Sequence, residues 1–179
     1  MEKFGKVIVK LRIPILILSF LLLIPSAIGY FNTRVNYDIL YYLPNEIETM
    51  QGQDILMDDF NKGAYAMVVV QNMDTKSTDR LIKKVESVDH VAQVISYTGI
   101  VGEDVPSEIV PSKFRKYFEN DSTDTTLFAI FFDNTTSSDD TMNAITQIRE
   151  KTEGQAFISG MSAVVTDTKN LSEKETPLY

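Results

Sequence analysis

The sequence predicts an α+β protein, a single membrane-spanning helix followed by an outward βαββαβ domain, and three observations carry that reading. Residues 13–31 (IPILILSFLLLIPSAIGYF) are nineteen consecutive uncharged, mostly apolar positions. A basic start with Lys3, Lys6, Lys10 and Arg12 stands directly before them. Beyond Gly63 the order of apolar run, amphipathic stretch and second apolar run occurs twice, about sixty residues apart.

Nineteen helical residues rise roughly 28 Å, close to the ~30 Å hydrocarbon core of a bilayer. A helix also pairs its own backbone polar groups, as hydrocarbon demands. The positive-inside rule keeps residues 1–12 in the cytoplasm and sends residues 32–179 out of it. A cleavable signal peptide is the rival reading, with a basic n-region, an apolar h-region and small Ala27 and Gly29 spaced like a cleavage site. The apolar run is longer than the usual h-region, and Tyr30 and Phe31 read as an interfacial aromatic anchor. Pro14 falls in the first turn, where a missing N–H costs little, and Pro25 is expected to kink the outer half. Both readings require export.

The charge distribution fits that division. Four basic residues and one acidic give residues 1–12 a net +3, so the whole-chain −8 leaves −11 for residues 13–179. No basic patch survives beyond the helix, which argues against a nucleic-acid partner. Absence of cysteine excludes disulfides, a Cys-linked lipid anchor and thiolate metal sites. The outer part is long enough for one domain with its own core.

In residues 32–44 (NTRVNYDILYYLP), Val35, Tyr37 and Ile39 alternate with polar positions, which predicts a short strand. Residues 46–60 read as a moderately amphipathic helix ended by Asn61, Lys62 and Gly63. Residues 64–71 (AYAMVVVQ) are a continuous apolar run of strand length, expected at the centre of a sheet. Asp74 caps a helix through Ser87 with Leu81, Ile82, Val85 and Val88 inward, and residues 91–97 form a second strand. The second unit repeats this. Residues 126–132 (TLFAIFF) are its first strand, and Ser137 or Ser138 caps a helix with Met142, Ile145 and Ile148 inward. Residues 155–159 close it, and Val70-Gln71-Asn72 is echoed by Phe132-Asp133-Asn134.

Two such units give the ferredoxin-like split arrangement, with right-handed crossovers placing both helices on one face of a four-stranded antiparallel sheet. The link over residues 99–124 is too long for a hairpin; it holds Pro106, Pro111 and the amphipathic SKFRKYFEN, and is expected to carry a short helix. Residues 161–175 have Val164, Thr168 and Leu171 at helical spacing, and Thr176 to Tyr179 do not read as a natural terminus. The expected domains are therefore 1–12 (cytoplasmic), 13–31 (transmembrane), 32–63 (strand and connecting helix), 64–160 (βαββαβ) and 161–179 (a helix leading onward).

Candidate chemistry is sparse. The one histidine, His90, lies in a loop with no second His and no Cys, so a solvated residue or one favouring the preceding helix C-terminus is the expectation rather than a metal ligand. Asp139 and Asp140 read as first-turn charges complementing the helix dipole, and Asp58 and Asp59 as a solvated face, with no D-x-D-x-D-G calcium loop. Gly160-Met161-Ser162 is not a nucleophile elbow, because Val stands at 164. Gly99 to Gly102 lacks the Lys and the spacing of a phosphate loop. Asn120, Asn134 and Asn170 begin formal glycosylation sequons. Phe114, Tyr117 and Phe118, among Lys113, Arg115 and Lys116, either pin the link to its domain or face an amphiphile or partner. The sequence supports no enzyme activity and no cofactor.

The order of basic N-terminus, one apolar helix, Asp38-Ile-Leu-Tyr-Tyr-Leu43-Pro44, a helix ending in Asp59-Phe60-Asn-Lys-Gly63, and βαββαβ resembles the start of a resistance–nodulation–division (RND) exporter of the MMPL-like, lipid- and hydrophobe-exporting branch. Ser159-Gly160-Met-Ser-Ala163 with Asp167 adds to the resemblance. It implies that residues 64–160 are a porter domain between the first two transmembrane helices and that residues 161–175 lead into the second. It also implies export of hydrophobic or amphiphilic molecules driven by proton motive force in a protein of two such halves and about a dozen spans. Implied partners are membrane lipid and the remaining transmembrane and porter domains, with homo-oligomerisation left open. The family's coupling residues lie in a later helix, so none is carried to this chain. The alternative class is a single-span, membrane-anchored domain that binds a protein or peptidoglycan partner outside the cytoplasm.

Overall fold

The computed structural model describes residue 5 and residues 8–33, 36–37, 42–102, 105–106 and 109–175, which fall into two units, Met1–Asn36 and Tyr37–Tyr179. In the first unit, α1 (Arg12–Asn32) runs uninterrupted through Pro25, and Thr33 Oγ1 donates to the Gly29 carbonyl at 2.7 Å beyond its end. Its residues 12–30 form a helix long and apolar enough to cross a membrane.

The strand expected around Val35 to Ile39 lies largely outside the described residues; Asn36 and Tyr37, which are described, belong to no strand. The helix expected over 46–60 is α2 (Glu48–Asp58), and it buries none of its residues. Its end follows the expected chemistry. Asn61 takes the left-handed conformation at φ 54°, and Lys62 N–H bonds back to the Leu56 carbonyl at 2.9 Å, leaving Gly63 to enter the sheet.

β1 (Ala64–Gln71) is central as expected, paired antiparallel with β4 (Thr125–Phe132) on one side and β5 (Ala156–Ser159) on the other. β2 (Val91–Ile95) lies beyond β4, giving the order β2-β4-β1-β5. The sheet has one strand more than expected, because Glu119–Asn120 (β3) also pairs with β4 through Thr125 and Thr126. The link before it carries two short helices, α4 (Tyr97–Val101) and α5 (Ser112–Arg115). β2 stops earlier than expected because the Ser96 side chain accepts the Gly99 N–H at 3.0 Å and starts α4.

The crossover helices are α3 (Thr75–Glu86) and α6 (Asp139–Thr152). Asp74 caps α3 by accepting the Ser77 N–H at 3.2 Å; Ser138, not Ser137, caps α6 by accepting the Thr141 N–H at 3.1 Å. Glu153 at φ 50° and Gly154 at φ 75° end α6. One core joins both helices to one face of the sheet. Leu81, Ile82 and Val85 of α3 and Ala144, Ile145 and Ile148 of α6 meet Ala66, Val68, Val70, Phe128, Ile130 and Phe132.

α7 (Met161–Glu175) follows β5 directly. It docks through Ser162, Ala163, Val165 and Thr166, whereas Val164 and Leu171, noted at helical spacing in the sequence, are each 56 % exposed.

Candidate functional site

β1 and β4 are apolar at nearly every position, which predicts burial on both faces. The structure buries only one. With α3 and α6 on the same side, the opposite face of the sheet is left without a layer among the described residues. Register sets what lies there. Tyr65 opposes Phe131, Met67 opposes Ala129 and Val69 opposes Leu127 across β1 and β4. Phe157 of β5 opposes Val69, and Ile95 of β2 opposes Ala129. Phe157 is 62 % exposed, Tyr65 50 % and Met67 40 %. The Tyr65 and Phe131 rings lie 6.5 Å apart, and the Lys62 ammonium sits 5.1 Å from the Phe131 centroid. An antiparallel sheet facing water is normally polar on that side, so this face has the character of an interaction surface. Chemically it can bury apolar matter.

The candidate residues gather elsewhere, and sequence separation hid how. His90, with φ 68°, leads into β2 and places Nδ1 3.1 Å from Asp133 Oδ1 and Nε2 3.9 Å from Asp140 Oδ1. Asn134 Nδ2 donates to Asp133 Oδ1 at 3.0 Å and to Asp140 Oδ2 at 3.3 Å. The expected solvated histidine is thus tied to the β4–α6 turn. Asp139, its neighbour in the helix's first turn, instead accepts from Lys169 of α7 at 3.1 Å. Among the described residues, no group of three or more His, Asp or Glu side chains is arranged to hold a metal ion. Asp58 and Asp59 are exposed at the end of α2.

Ser162 is fully buried and donates to the Tyr65 carbonyl at 2.9 Å, so it fastens α7 to β1. Gly160 precedes it at φ 113°, and a Cβ there would lie 3.4 Å from Ala66 Cα. Gly99 belongs to the Ser96 cap of α4. Phe114 and Phe118 pack on each other at 5.5 Å and on Tyr97 at 6.5 and 6.4 Å, which pins the link to the domain. Tyr117 points away, 75 % exposed. Tyr97 was missed as the anchor because the sequence places it at the end of a strand. Asn120 is occupied by Ser122, accepting its hydroxyl at 2.6 Å, while Asn170 is exposed on α7.

Two carboxyl groups depart from their ordinary values. The hydrogen bond from Ser77 holds Asp74 below 3.8, and burial raises Glu119 above 4.5 against the opposing Arg115 charge. No protein-family description matches this chain, and no curated protein matches it either.

Proposed function

We propose that this chain is the N-terminal portion of a membrane exporter for hydrophobic or amphiphilic molecules, with residues 64–160 as a ferredoxin-like, porter-type domain outside the cytoplasm. The observation that carries the reading is an apolar sheet face, Tyr65, Met67, Phe131 and Phe157, on a domain that follows a helix apolar enough to span a bilayer. A face of that kind is covered either by another domain of the same transporter or by the transported molecule. Supporting it further, the strand order β2-β4-β1-β5 with two helical crossovers is that of a split βαββαβ unit. The exposed line of Met161, Val164 and Leu171 on α7 is a second apolar surface awaiting a neighbour. In this reading the proton motive force acts in the full-length protein, through spans beyond those described, and membrane lipid and the remaining porter and transmembrane domains are the partners.

A second reading draws on one specific observation. Ser162, Ala163, Val165 and Thr166 seat α7 against the domain, as they would in a self-contained, single-span anchored binding module. The reading frame beyond the Tyr179 codon separates the two. A frame that continues into an apolar stretch of about twenty residues supports the exporter. A stop codon there would sink it in favour of the anchored module.

A further inference from the structure

The open face of the sheet has a relief that the strand register sets. Tyr65 and Phe131 stand side by side as one high row, and Val69, Leu127 and Phe157 form another. Between them, small Ala129 and Ser159 flank Met67 on its two neighbouring strands. That middle row is low on both sides of Met67, whose unbranched side chain adapts to what meets it. No open-face position in these pairings is Asp, Glu, Lys, Arg or His, and Lys62 stands at the Phe131 end.

Charge and shape select the occupant. Residues 13–179 carry a net −11, so an anionic lipid surface is repelled. A basic partner finds no carboxylate on the face to pair with. A small amphiphile is poorly held, since side chains stand out from a pleated surface whereas small-molecule sites are concave. What fits is another uncharged, pleated face about 10 Å away with matching relief, and this chain itself presents one. A two-fold axis lying between two such sheets and running across their strands sets high rows over low ones. Phe157 of each protomer then meets Ser159 of its partner, and Leu127 meets Ala129. The face spans four strands about 4.8 Å apart and the eight residues of β1, roughly 500 Å² per protomer. A pair buries roughly 1,000 Å², the lower bound for a specific interface, which sets a weak and reversible dimer.

We propose that two copies of this chain pair sheet against sheet through this face. The inference rests on the exporter reading for a covered face and deepens it, naming the covering domain as the same domain of a second protomer. Because both protomers are acidic and the face is neutral, salt tightens the pair by screening their repulsion.

The test uses two batches of the full chain, carrying a donor or an acceptor dye on Lys174→Cys at the exposed end of α7. They are mixed in dodecyl maltoside with micelles in large excess over protein. Energy transfer should rise saturably with protein concentration, with a micromolar midpoint that falls several-fold from low to high sodium chloride. Met67→Glu and Phe157→Glu should each raise the midpoint roughly tenfold or more, since each sets a carboxylate in an apolar contact. Leu171→Glu, on α7, should leave it unchanged. Phe157 is 62 % exposed, so Phe157→Ser provides a second variant that spares the fold should Met67→Glu disturb it. No saturable transfer, a midpoint raised by salt, or transfer undiminished in both Met67→Glu and Phe157→Glu would overturn the dimer. A chain that stays monomeric while 1-octanol shifts its Met67 methyl resonance saturably would give the face to cargo instead. Monomers whose Met67→Cys thiol is shielded only within an intact, longer gene product would give it to another domain of that product. Either result would overturn the second copy and leave the exporter reading standing. A salt-tightened dimer beside a stop codon after Tyr179 would do the reverse.

Discussion

A methyl group added at Gly63 would meet the Asn134 carbonyl oxygen at 2.5 Å and its carbon at 2.6 Å, whereas one added at Gly52 meets nothing within 4 Å. The two substitutions should therefore differ in sign. Gly63→Ala pushes backbone against backbone and should cost about 1–3 kcal/mol. Gly52→Ala, inside α2, should stabilise by about 0.5–1 kcal/mol by restricting the unfolded chain. Urea unfolding of the full chain, read by circular dichroism, measures both; equal effects would contradict the Gly63–Asn134 contact. Asp74 and Glu119 make an opposed pair in pH. The Ser77 bond depresses the Asp74 carboxyl, so its capping contribution is present above its usual 3.8 and is lost as pH falls through its lower folded value. Burial raises Glu119, so the native state resists its ionisation. The resulting penalty is present above its folded value and disappears as pH falls through that value towards the usual 4.5. Glu119→Gln should thus raise the melting temperature at pH 7 and lose that advantage at pH 4, while Asp74→Asn should keep the cap and flatten the acid limb. The Asp74 cap was legible in the sequence, because a cap and its helix are neighbours. The Gly63 contact and the His90–Asp133–Asp140 cluster were not, because each depends on chain separated by dozens of residues and brought together only by the pairing of β1, β2 and β4.

At the scale of elements, local signals served well wherever burial was one-sided. The period of α6 put Met142, Ile145 and Ile148 inward, and all three are buried. On β1 and β4, expected as strands and found as such, apolar residues at nearly every position erase the period-two contrast between a covered and an open face. On α7 the docked face is made mostly of small and polar residues, Ser162, Ala163 and Thr166 beside Val165, which a hydrophobicity reading does not single out. The helix is fastened by specific bonds, Ser162 to the Tyr65 carbonyl, Arg149 to Asp167 and Lys169 to Asp139. From Asn170 to Glu175 every residue is exposed. Amide exchange in the full chain should accordingly be slow over Ser162–Thr166 and fast over Asn170–Glu175. Arg149→Ala should speed exchange in the middle of the helix and cost about 0.2–1 kcal/mol, the range of a partly exposed ion pair. Uniform protection along α7 would mean that its second half has a partner.

For the whole molecule, the native absence of cysteine makes topology directly readable. In cells, Gly5→Cys should react only with a membrane-permeant thiol reagent and Tyr117→Cys, at a site 75 % exposed, also with an impermeant one. A mature N-terminus near Tyr30 would instead make α1 a removed signal sequence and undercut the exporter reading. The last expectation concerns transport itself. Export against a gradient requires an energy-coupling site, and ionisable side chains within the membrane are its usual carriers. Between Ile13 and Phe31 there is no Asp, Glu, Lys, Arg or His, and Ser19, Ser26 and Tyr30 supply the only hydroxyls. One helix cannot enclose a path either, since its backbone is self-satisfied and its surface meets lipid. Residues 1–179 expressed alone should therefore leave susceptibility to amphiphilic toxins unchanged, while an intact exporter gene containing them should alter it. Efflux by residues 1–179 alone, measured in vesicles with an imposed pH gradient, would place the coupling inside this chain and overturn that account.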